Sequence, residues 1–204
     1  GALSANTGSY NTGVGYNALA ANTTGANNTA VGYEALDANT TASSNTAIGA
    51  AALGANTTGT QNVAVGNGAL DASNANNCTA IGYNSLGANT TGTLNTAVGS
   101  EAFATNTTGG YNTAVGQNAL NANTTASNNT AVGQSALAAN TTGTRNSAFG
   151  QAALDAATTG DDNTAIGYAA LGANTTASDN TAVGSYALKN NTTGANNNAV
   201  GYQA

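Results

Sequence analysis

Nine Asn-Thr-Thr triplets carry the most obvious chemistry in this sequence, at Asn22, Asn39, Asn56, Asn89, Asn106, Asn123, Asn140, Asn174 and Asn191. Each matches the acceptor pattern for an N-linked glycan, provided the chain passes through a eukaryotic secretory route. The same triplet also reads as a turn, since Asn tolerates left-handed backbone and Thr caps it. The turn is the expectation here. Cys78 is the only thiol and the chain has no histidine, so Cys-His and Ser-His-Asp arrangements are excluded. A single cysteine makes no internal disulfide, and Cys78 reads as a small buried filler. The eight carboxylates do not converge, and Asp161-Asp162 reads as a solvated turn. Neither a Gly-Gly-x-Gly-x-Asp calcium repeat nor a phosphate-binding loop is present. The sequence therefore predicts a non-enzymatic protein with no catalytic, cofactor-binding or metal-ligating residues.

The triplets recur because the whole chain does. A 17-residue unit, roughly Asn-Thr-Ala-Val-Gly-x-x-Ala-Leu-x-Ala-Asn-Thr-Thr-Gly-x-x, runs from one end to the other. A unit this short is one coil of a stack rather than a domain. The period is not a heptad and Gly recurs too often for a continuous helix. The prediction is all-β: a parallel β-solenoid (β-roll or β-helix) of about 12 coils, with 17 residues per coil. Residues 1–204 form a single repeat domain. Strands are expected at Asn-Thr-Ala-Val and near Ala-Leu, and turns at Gly and at Asn-Thr-Thr-Gly. At about 4.8 Å per coil the rod is about 58 Å long. N-glycans on every coil at that spacing would collide.

Two apolar columns follow from the repeat. One runs Val14, Val31, Ile48, Val65, Ile81, Val98, Val115, Val132, Phe149, Ile166, Val183, Val200, and the other runs from Leu3 to Leu188. β-Branched residues suit a pleated, buried strand, so both columns are expected inside. Charges fall only on variable positions, which marks those as solvent-facing. The Asn that opens each unit recurs from Asn11 to Asn197, with Cys78 the single interruption, and predicts a stacked amide ladder or turn. The coil that carries Cys78 is one residue short.

With Val inward, strand alternation puts the preceding Ala outward. Ala on a wet face has no purpose, so Ala47, Ala64, Ala97, Ala114, Ala131, Ala165 and Ala182 are expected to form an interface column against a neighbouring chain or a tight corner.

Composition narrows the partners. Two basic residues against eight acidic ones give a net charge of −6. No basic patch for nucleic acid is available, and no apolar stretch is long enough for membrane insertion. Charged residues make up 5% of the chain, against about 25% in ordinary soluble domains. Solubility then rests on Asn, Thr, Ser and Gln. The chain lacks an initiator Met, and its two ends share nearly the same phase of the repeat without polar caps. Because solenoids need caps, the expectation is a segment of a longer fibre or a head-to-tail subunit.

The Asn-Thr-Ala-Val-Gly and Asn-Thr-Ala-Ile-Gly units, as at Asn28-Thr29-Ala30-Val31-Gly32 and Asn45-Thr46-Ala47-Ile48-Gly49, resemble the head repeats of trimeric autotransporter adhesins. The longer unit, with Ala-Leu and Asn-Thr-Thr-Gly following, resembles repeats of phage-type tail fibres, which often precede a self-cleaving chaperone domain. The resemblance covers the whole chain. It implies a left-handed coil, a homotrimer, a location outside the cell or on a cell or virion surface, and a host-surface or glycan receptor. The expected function is thus a structural segment of an extracellular fibre, adhesin or tail fibre. Self-association is expected through solenoid faces or ends, as a homotrimer or a head-to-tail filament. The alternative is an ice-binding (antifreeze) solenoid using Thr/Asn columns. Ten Thr-Thr pairs run along the chain, but adjacent Thr residues point to opposite faces, so only Asn22 and Thr24, or their equivalents, would share one.

Overall fold

A computed structural model describes all 204 residues and contains β-strands and turns but no helix. Twelve three-residue strands, β1 (Thr12–Val14) to β12 (Asn198–Val200), form one sheet in strict sequence order. Every neighbouring pair is parallel and in register, so Ala97 sits beside Ala114 and Val98 beside Val115. The chain is a parallel β-solenoid of about eleven turns. Successive strands start 17 residues apart except where Val63 pairs with Thr79, across the short coil.

Each coil holds one strand, not two. The Ala-Leu segment is a turn, and its Leu adopts a left-handed conformation, with φ of 52° at Leu36 and 51° at Leu120. Two further positions per coil do the same, as at Glu34 and Ser44, whereas the Asn of the Asn-Thr-Thr turn does not. A left-handed L-residue costs about 1–2 kcal/mol. What offsets the cost is that the bend leaves each of these amides pointing along the rod. Leu36 N donates to Ala52 O of the next coil at 3.1 Å, and Glu34 N to Tyr16 O of the previous one at 2.9 Å.

The Gly that ends each strand is fixed by close approach. Gly116 has φ of +130°, and a Cβ there would stand 2.5 Å from Gly133 O on the next coil. Only Gly combines that dihedral with that contact.

The core is thin. Apart from Phe103 and Cys78, the buried apolar cluster consists only of Ala and Leu. The middle strand residue faces inward: Ala47, Ala64, Ala97, Ala114, Ala131, Ala165 and Ala182 are all 0% exposed. The expected register is therefore inverted, and the Ala column is core rather than interface. The interior of a 17-residue coil has width for one Leu beside small residues. Val on the strand would overfill it, so Val turns out and Ala fills the gap.

Candidate functional site

Outward strand positions build the most regular surface on the molecule. On each strand the first and third residues point away from the core. They form two ranks, Thr29, Thr46, Thr96, Thr113 and so on beside Val31, Ile48, Val98, Val115 and so on, paired rung by rung. Ile48 is 40% exposed and Phe149 42%, an unusual state for large apolar side chains on a sheet. No charged residue lies on either rank. The hydroxyls of Thr29, Thr46, Thr96, Thr113, Thr130 and Thr181 make no hydrogen bond within the chain.

The Thr-Thr turns behave differently. In six of the ten pairs the first Thr donates its hydroxyl to the carbonyl of its counterpart one coil on, as Thr23 to Thr40 at 3.0 Å and Thr107 to Thr124 at 3.0 Å. The Asn before the pair is buried. Asn39 Nδ2 donates to Asn22 Oδ1 at 2.7 Å and to Ala42 O at 3.1 Å. Asn22 is buried and Thr24 exposed, so the two share no face.

The same burial extends along the Asn-Thr-Thr column. Asn22, Asn39, Asn56, Asn89, Asn106, Asn123, Asn140 and Asn174 are buried, and their Nδ2 atoms donate to the carbonyl three residues on. Asn191 is half-buried, and its Nδ2 donates to Gly194 O at 2.7 Å. Glycosylation would attach a sugar at this nitrogen, and in the folded chain eight of the nine are enclosed in the coil. The turns are architecture.

The opening Asn of each unit forms the ladder the sequence predicts. Its Oδ1 accepts the backbone N–H of the next Asn, as Asn112 N to Asn95 Oδ1 at 2.9 Å, and its Nδ2 closes its own coil, as Asn112 to Ala126 O at 2.9 Å. The one buried side-chain atom without a partner is Asn140 Oδ1. Its counterpart on the next coil is Ala157, which has no amide to offer.

Ionisable groups are scattered. Asp37, Asp71 and Asp155 follow the Leu column, and partial burial raises each carboxyl above its ordinary range. Arg145 grips Asp162 with two bonds of 2.6 and 2.7 Å, and that hydrogen bonding lowers the Asp162 pKa. Burial raises the Cys78 thiol. Exposed tyrosines line the flank beyond the Gly column, where Tyr16 and Tyr33 stack at 5.5 Å and Lys189 lies 4.6 Å over Tyr186. No known protein family, curated protein or solved structure matches the chain.

Sequence reasoning missed the Thr and Val ranks as a surface, although two substitutions mark them. Val63 stands in the Thr rank and Phe149 in the Val rank, changes of polarity and volume that an outward position accommodates. From Ala30 to Ala199 the intervening residue is always Ala, as a filled interior demands.

Proposed function

We propose that the chain is a non-enzymatic structural segment of an extracellular fibre, an adhesin or a tail fibre, and that its copies associate side by side through the Thr and Val ranks. The observation that supports this reading is the partly exposed Val, Ile and Phe rank on a charge-free sheet. A three-residue strand is about 10 Å wide and the stack about 58 Å long. The face then offers on the order of 600 Å² per copy, so a pair buries about 1,200 Å², the lower range of specific interfaces. Sedimentation equilibrium tests the reading. The native chain is expected to be oligomeric, and Val115→Lys with Val132→Lys is expected to give a folded monomer. A native chain that stays monomeric and dispersed at high concentration refutes self-association through this face.

A second reading is favoured by the free strand hydroxyls. A rank of unpartnered Thr hydroxyls beside a rank of methyl groups, repeating about every 4.8 Å along a rigid face, suits an ordered water layer and hence ice. Thermal hysteresis of the chain decides it. Freezing at the colligative point, with unshaped crystals, excludes ice binding and leaves the fibre.

A further inference from the structure

Two buried side-chain columns tie each coil to the next. In the first, the opening Asn accepts the amide of the following one, as Asn62 N to Asn45 Oδ1 at 3.0 Å and Asn129 N to Asn112 Oδ1 at 2.9 Å. In the second, some Asn-Thr-Thr side chains bond along the rod, as Asn39 Nδ2 to Asn22 Oδ1 and Asn106 Nδ2 to Asn89 Oδ1, both at 2.7 Å.

Both columns are substituted in the same coil. Cys78 replaces the opening Asn, and the Asn95 amide faces its sulfur instead of an amide oxygen. The thiol closes its own coil weakly, donating to Gly92 O at 3.3 Å, where Asn95 makes the equivalent bond to Gly109 O at 2.7 Å. Ser73 replaces the second Asn, and Asn89 Nδ2 reaches its hydroxyl at 3.3 Å. The coil is also one residue short and has no Thr-Thr pair. The Thr57 and Thr58 amides therefore turn to the side chain of Asn74, at 2.8 and 3.2 Å, and the Thr60 amide to that of Asn76, at 2.7 Å. In five other coils the two Thr amides share a main-chain carbonyl, as Thr23 and Thr24 do at Thr40 O. Asn74 and Asn76 are exposed, so water competes for these ties and their rotamers are free to leave them.

The second column lapses elsewhere too: Ala157 interrupts it, and Asn123, Asn140 and Asn191 bond only within their own turns. The first column remains whole at all of these coils, as with Asn163 N on Asn146 Oδ1 at 3.0 Å. Residues 71–86 alone carry a substitution in both columns, and alone break the first.

We infer that residues 71–86 form a built-in seam at which the rod opens before any other interior coil, parting it into two separately stable lengths. A solenoid is held by nearest-neighbour contacts, so its weakest coil–coil contact sets where it yields. In a fibre, a seam of this kind confines bending or tearing to one place and spares the flanking coils. Cys78 is its natural reporter, since a buried thiol meets reagent only when the coil opens.

Native-state hydrogen exchange on the full chain tests this, with thiol labelling of Cys78 alongside. The amides of Thr79, Gly82 and Asn95 are expected to exchange about fivefold faster than their counterparts Thr130, Gly133 and Asn146, as the loss of about one net hydrogen bond implies. Labelling of Cys78 is expected to follow the same opening. Restoring both columns with Ser73→Asn and Cys78→Asn is expected to narrow the difference. Equal exchange in the native chain overturns the inference, as does a restored chain that still opens first at these residues. Earlier opening at the coil of Ala157 overturns it too.

Discussion

Removing one rung of the Asn ladder gives the sharpest measure of what holds the coils together. Asn129 is 1% exposed. Its Oδ1 accepts the Asn146 amide at 2.9 Å and its Nδ2 donates to Gly143 O at 2.8 Å. In Asn129→Ala the Asn146 amide is stranded without an acceptor. Gly143 O keeps one donor, because Asn140 Nδ2 also reaches it at 3.0 Å. A stranded buried amide costs about 1–3 kcal/mol and a lost shared bond about 1 kcal/mol more, so the expected loss is about 2–4 kcal/mol. Urea unfolding followed by circular dichroism measures the total, and hydrogen exchange at Asn146 reads the local part. Gln134→Ala is the control. Gln134 lies on the exposed flank, bonded only by Gln151 at 3.3 Å, so its change should stay within about 0.5 kcal/mol. If Asn129→Ala is as mild as the control, with Asn146 still protected, the ladder is a consequence of stacking and does not stabilise it.

Two adjacent residues should respond in opposite ways. Ala114→Glu buries an unpaired charge in the core and is expected to unfold the rod, whereas Val115→Glu should leave circular dichroism unchanged and abolish association on sedimentation. Gly116→Ala combines a disallowed φ with a contact to the next coil, and should cost about 2–4 kcal/mol in urea. The pH dependence follows from Asp37 and Asp71. Both folded-state pKa values are raised, chiefly by burial, so between the unfolded and folded values the folded chain holds more protons. Stability from these groups is present below the unfolded value near 3.8 and is lost as pH rises through the folded one. Urea midpoints should therefore be higher just below pH 4 than at pH 7, and Asp71→Asn should flatten the difference.

The repeat alone determined the class of fold. A 17-residue period, without heptads and with Gly at each strand end, leaves a parallel stack as the arrangement that pairs every coil with its copy. The opening Asn column was legible for the same reason: in an in-register stack, identical residues meet, and an amide is both donor and acceptor. Which strand face looks inward was not legible, because Thr-Ala-Val alternates equally well either way round. The answer lay in the width of the coil, which the Ala-Leu turn sets by adopting left-handed Leu instead of a second strand. That turn leaves room inside for Ala30 and Leu36 and none for Val31. Burial of the Asn-Thr-Thr amides followed from the same narrow closure, since their nitrogens are needed to satisfy carbonyls within the coil. The period is a property of the chain, but the side on which a residue ends up is decided by the space the closed coil encloses.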